Sequence, residues 1–203
     1  MTRTTAIRAG GTALAVGGPV WATTLLTTGP PVDGVSPRAE VLGGLAWQAG
    51  VAGLLLAVAL TGASGRGRAA RVTLAVEAVL LAAAAVWSVV YAIDPASQRT
   101  VVMAVLDAAW PLSVLGLLPV GVLVLRAGVW PAPLRQLPLV AALWLPLDLV
   151  ATLAVGESAA LALRVAWLAV VWGGLGLLLA VRAPEEGRSG HDAAAQQREH
   201  RSL

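Results

Sequence analysis

Five stretches of about 20 largely apolar residues, joined by short connections rich in Gly and Pro, leave this chain few folds to choose from. They cover about 39–60, 72–92, 101–125, 137–155 and 159–181. Each has the length that the hydrocarbon core of a bilayer demands. A sixth stretch, about 9–28, is weaker because it is rich in Gly and Thr. Inside hydrocarbon the backbone finds no water to bond, so a spanning segment must satisfy its own N–H and C=O groups as a helix. The expected fold is all-α, a polytopic transmembrane bundle of six spans filling residues 1–182. A polar tail, 183–203, follows and reads as disordered and cytoplasmic.

Breakers mark the joints. They are Gly29-Pro30-Pro31 through Pro37, Gly62 through Gly67, Asp94-Pro95, Trp130-Pro131-Ala132-Pro133 and Gly156-Glu157. Composition excludes a soluble alternative: 58% of residues are hydrophobic and only 12% charged, against about 25% charged in a soluble domain. The pI near 10.9 suggests nucleic acid at first sight. The bases, all of them Arg, are spread along the connections instead of forming one run, so no nucleic-acid partner is expected.

Arginine bias sets the expected orientation. Threading six spans puts Arg3, Arg8, Arg66, Arg68, Arg71, Arg126, Arg135, Arg182, Arg188, Arg198 and Arg201 on one side. Only Arg38 and Arg99 fall on the other, and Arg164 lies within a span. Both termini are therefore expected inside, in a multi-pass protein of a bacterial cytoplasmic membrane. A rival reading makes the first stretch a cleaved signal peptide with Arg3 and Arg8 as its charged start. No clean small-x-small site follows the apolar run, and Pro19-Val20-Trp21 is a poor one.

Small residues at four-residue spacing (Ala46/Gly50, Ala49/Gly53, Gly11/Ala15, Ala13/Gly17) point to close helix–helix approach. The run Gly53-Leu-Leu-Leu-Ala-Val58 recurs as Gly176-Leu-Leu-Leu-Ala-Val181, which in so restricted an alphabet carries little weight as a duplication.

Four ionisable residues fall inside spans, where each costs about 2.5–3.5 kcal/mol on insertion scales and needs a reason. At 1.5 Å of rise per residue, Asp107, Asp148 and Arg164 lie on three consecutive spans, all roughly 8–10 Å below the outer surface. Glu77 stands apart, nearer the other face, and reads as snorkelling or as hydrogen-bonded to a neighbouring helix. Each of the three has an indole at helical spacing: Trp110 with Asp107, Trp144 with Asp148, Trp167 with Arg164. Trp87 with Tyr91, and Glu40 ahead of Trp47-Gln48, extend the pattern. If these faces converge they make an outward-facing polar pocket floored by indole rings. Pro111 leaves the carbonyl of Asp107 without its usual donor, and Pro146 does the same for Ala142. A bare carbonyl beside a carboxylate suits a proton or a small cation. The bland alternative is that Arg164 pairs with one Asp as a structural staple and that the tryptophans form an interfacial belt.

Absences narrow the chemistry. With no Cys there is no disulfide and no thiol chemistry. The chain has no HExxH, GxSxG or P-loop, and its two His fall in the tail at His191 and His200. No metal site and no cofactor is expected, no catalytic residue is nominated, and whether the chain is an enzyme stays open with nothing at diagnostic spacing in favour.

Leu106-Asp107-Ala-Ala-Trp110-Pro111-Leu112-Ser113, with Leu143-Trp144-Leu-Pro146-Leu-Asp148, resembles segments of uncharacterised multi-span membrane proteins of GC-rich Gram-positive bacteria. The resemblance covers mainly the fourth and fifth spans. It implies the membrane class and no chemistry. Two functions stay open on the residues: a small transporter-like or sensing protein holding a proton, cation or small cationic ligand, or a non-catalytic subunit or assembly factor serving a membrane-protein partner. The bilayer is a partner on either reading.

Overall fold

The computed structural model describes residues 2–28 and 36–182, and every regular element among them is helical. The tail 183–203 and the Gly29-Pro30-Pro31 part of the first connection lie outside the described residues. The helices are α1 (Arg3–Thr28), α2 (Arg38–Thr61), α3 (Arg68–Ile93), α4 (Val101–Ala127), α5 (Leu137–Ala142), α6 (Trp144–Val155), α7 (Glu157–Ala166) and α8 (Gly173–Arg182). A 3₁₀ turn, Pro95–Arg99, joins α3 to α4, and a π-helical turn, Trp167–Trp172, links α7 to α8.

Five stretches are long and apolar enough to cross a membrane: α2, α3, α4, Leu137–Val155 and Glu157–Arg182. Their helix ends follow local chemistry. Gly62 and Gly128 close α2 and α4 in the left-handed conformation, at φ 67° and 63°, which only glycine adopts without cost. Thr100 caps α4 by accepting from the Met103 N–H at 3.3 Å. The stretch 137–155 breaks at Leu143, between α5 and α6. Pro146 explains the break, because its ring nitrogen cannot donate to the Ala142 carbonyl. Pro111, by contrast, lies within an unbroken α4.

The least apolar of the long helices packs between two others. α1 runs antiparallel to α2 on one side and to α8 on the other, and its glycines make both contacts. Gly10 meets Gly53, Gly17 meets Ala46 and Gly50 meets Leu14 along α2, while Gly11 and Ala15 meet Gly176 on α8. Gly18 lies against the Leu168 carbonyl of the π turn. Small residues bring its backbone close to both neighbours, while Val16, Val20 and Leu26 stay on an exposed face. The Gly and Thr content that weakens α1 as a hydrophobic signal is thus what lets it pack closely against α2 and α8. Its threonines also return their hydroxyls to the helix: Thr23 donates to Pro19 O and Thr28 to Thr24 O, each at 2.8 Å.

Glu77 sits in the α3–α4 contact, 1% exposed. It accepts a 2.7 Å hydrogen bond from Ser113 Oγ at one carboxyl oxygen, and the other lies against Gly116, where a side chain would collide with it. The residue bonds to a neighbouring helix; it does not reach for the surface.

A methyl group on Gly50 would lie 2.5 Å from the Leu14 Cα, and backbone cannot step aside. We expect Gly50→Val to cost at least about 1–3 kcal/mol, read as a lowered midpoint of thermal unfolding in detergent. Gly174→Ala, with nothing within 4 Å of the added atom, should leave that midpoint unchanged.

Candidate functional site

The ends of α2, α3 and α4 that lie away from Gly62 and Gly128 converge with α1, α6 and α7 around a cavity of about 330 Å³. Its polar wall is Glu40, Ser88, Asp107, Asp148 and Arg164, and its aromatic wall is Trp21, Trp87, Trp110 and Trp144. Of the residues singled out by sequence, Asp107, Asp148, Arg164, Trp110 and Trp144 all line this one space. Trp167 does not: it opens the π-helical turn and packs partly buried against the main apolar core.

The carboxylates differ in circumstance. Asp148, 8% exposed, is held by Arg164 in a two-point bond: Nε to Oδ1 and Nη2 to Oδ2, both 2.9 Å. This planar fork is the strongest geometry available to the pair. Glu157, at the start of α7, adds a longer contact of 3.5 Å to the same guanidinium nitrogen. Both oxygens of Asp148 are therefore engaged. Asp107 and Glu40 have no ion-pair partner among the described residues, and both line the cavity. With the Asp148–Arg164 pair neutral as a unit, these two give the space its acidic character.

The floor is a contiguous indole cluster. Trp21, Trp47, Trp110, Trp144 and Trp172 touch through ring centroids 5.1 to 6.3 Å apart, mostly edge to face. Edge-to-face packing aligns the positive edge of one ring with the negative face of the next, adding about 0.5–1.5 kcal/mol per pair beyond burial. Five helical segments are tied together by this cluster: α1, α2, α4, α6 and the π turn. A π turn adds a residue to the helical repeat and commonly marks a functional segment; here it carries Trp172 into contact with Trp47. At the rim, Trp87 stacks on Tyr91 at 5.1 Å, and the Tyr91 hydroxyl donates to Ser36 O at 3.0 Å. That bond ties α3 to the second residue before α2.

Trp21 was not singled out by sequence, because it stands in a Gly- and Thr-rich helix with no charge at helical spacing. Its signal was isolation: it is the one aromatic residue of α1. Glu40 was noted only as preceding Trp47, and its place in the wall follows from how α2 meets α3. Among the described residues, no group of three or more His, Cys, Asp or Glu side chains stands close enough to hold a metal ion.

The fold and site define an all-α helical bundle with five helices able to cross a membrane and an acidic, indole-walled cavity at one end. The chain matches no family model, and neither the curated proteins nor the solved structures hold a significant match to it.

Removing one member of a largely buried ion pair strands the other's charge. We expect Arg164→Gln and Asp148→Asn each to lower stability by about 3 kcal/mol, and the double variant to lose clearly less than the sum. A thermal-unfolding double-mutant cycle in detergent measures it.

Proposed function

We propose that this protein is a small transporter-like or sensing protein of a bacterial cytoplasmic membrane, whose cavity takes up a small organic cation from the outer face. The observation that carries this reading is one space in which Asp107 and Glu40, without ion-pair partners among the described residues, face the rings of Trp21, Trp87, Trp110 and Trp144. A cation of the ammonium class fits both walls: carboxylates supply charge, and ring faces supply cation–π attraction of about 2 kcal/mol when water is excluded. The Asp148–Arg164 pair shapes one side of the space and is not itself the binding group. Asp107, near the start of α4, is the principal counter-charge, and Trp110 and Trp144 close over the ligand.

Six spans with both termini inside complete the proposal. The packing of α1 antiparallel to α2 and α8 supports counting it as a span, and the arginine bias supports the orientation. The cavity lies at the end of α2 opposite Arg66 and Arg71, which on that orientation is the outer end.

A second reading rests on the Arg164–Asp148 fork: the protein is a non-catalytic subunit or assembly factor, and its intramembrane charges are staples. Exchanging the charges, Arg164→Asp with Asp148→Arg, should restore folding and all activity if the pair is a staple alone.

Titrating tetramethylammonium against purified protein and following Trp fluorescence tests the first reading. Wild type should give a saturable change, and Asp107→Asn should weaken the apparent affinity by at least about tenfold, the worth of one partly desolvated charge contact. Equal titrations for wild type, Asp107→Asn and Glu40→Gln would sink it.

A further inference from the structure

The end of the bundle away from the cavity carries a second surface, built from two adjoining parts. α2 and α3 diverge to leave an apolar groove of about 490 Å³ between them. Ala49, Ala52 and Ala59 on α2 face Ala78 and Ala82 on α3, and all five are exposed. Two rows of methyl groups leave a trough where larger side chains would have interdigitated. The groove runs past Gln48 to Leu45, and the Gln48 amide oxygen accepts from Ser88 Oγ of the cavity wall at 3.2 Å. From Leu45 to Ala59 the groove runs about 21 Å along α2. That exceeds the depth of one leaflet, about half of the roughly 30 Å hydrocarbon core.

At its open end the groove runs into a polar pocket of about 460 Å³, and Ala59 and Leu74 line both. Arg3 from the start of α1, Arg66 from the α2–α3 connection and Arg71 from the first turn of α3 converge there, with Thr61 and Ser64 between them. None of the three arginines has an ion-pair partner among the described residues. Three guanidinium groups at helix ends, an apolar trough long enough for an acyl chain leading away from them, and no carboxylate among the lining residues define an amphiphile with an anionic head.

We propose that this composite surface binds one anionic phospholipid, its phosphate on Arg3, Arg66 and Arg71 and one acyl chain laid along the α2–α3 groove. Basic pockets at helix ends attract such head groups by about 1 kcal/mol per Arg, and a single chain fits the trough better than an α-helix of about 10 Å diameter. A second copy of this protein related by an axis along the membrane normal would bring its own Arg3, Arg66 and Arg71 to the same level, like charge against like. The lipid therefore explains both parts of the surface at once. The proposal is independent of the cavity reading, since no residue of the basic pocket lines the cavity.

Native mass spectrometry of the detergent-purified protein, titrated with phosphatidylglycerol or phosphatidylcholine of identical chains, tests it. We expect one phosphatidylglycerol per chain to bind at least about tenfold more tightly than phosphatidylcholine. Arg66→Gln with Arg71→Gln should erase that preference. Ala52→Leu with Ala82→Leu, both at exposed positions, should weaken phosphatidylglycerol binding with the thermal midpoint kept, because the chain loses its trough. Competition by millimolar inorganic phosphate equal to that by the lipid would overturn the proposal in favour of a free-anion site. Unchanged lipid binding in the groove-filled variant would overturn it too, as would a dimer that Ala52→Leu with Ala82→Leu converts to monomer.

Discussion

Close backbone contact between α1 and its two antiparallel neighbours is the constraint on which the rest of the molecule depends. Glycines on two faces of α1 bring it against α2 and against α8 at distances no side chain could share. Association of apolar helices in lipid gains little from hydrophobicity, so van der Waals contact between backbones must hold them. Because α1 packs this closely on α2, Trp21 reaches the centre of the indole cluster, where it touches Trp47, Trp110 and Trp144. The cavity floor is thus a consequence of glycine packing, which continues to Gly43 and Gly44 of α2 against Trp21 itself.

Polar groups are then distributed between two roles. Glu77 accepts from Ser113, and Asp148 from Arg164, across helix pairs, α3 with α4 and α6 with α7. With the Ser88–Gln48 bond between α3 and α2, these contacts fix register in a bundle held mostly by apolar packing. Asp107 and Glu40 have no such partner among the described residues, and both border the same space. Glu40 stands in the first turn of α2, where the helix dipole favours a carboxylate, and Asp107 is exposed, so neither is pinned by the fold as Asp148 is.

The features legible in sequence are those set by local length and spacing. Runs of apolar residues mark the five long helices nearly to their ends, and counting the rise along each span puts Asp107, Asp148 and Arg164 at one level. The features that sequence hides depend on how helices face each other. Arg164 bonds Asp148 and not Asp107, a choice set by the direct connection of α6 to α7. Trp167 shares a helix with Arg164 but turns into the core, because a long guanidinium stem reaches around a face that a rigid indole cannot. Trp21 escapes notice because hydropathy penalises the glycines around it. The same glycines are why it sits at the centre.

Uptake of a cation from outside requires that the indole-walled cavity be open to water on the side opposite the arginine-lined pocket. The chain has no cysteine, so a single introduced thiol reports without background. Ser36→Cys places one on the cavity wall at a half-buried position with almost no change of shape, and Gly67→Cys places one in the connection between Arg66 and Arg68. Labelling each in sealed vesicles of known orientation with a cationic thiol reagent that cannot cross the bilayer is the most direct test. The two should react from opposite faces, and tetramethylammonium should slow Ser36→Cys alone. Reaction of both from the same face, or no protection of Ser36→Cys by tetramethylammonium, would contradict an outward-facing cavity.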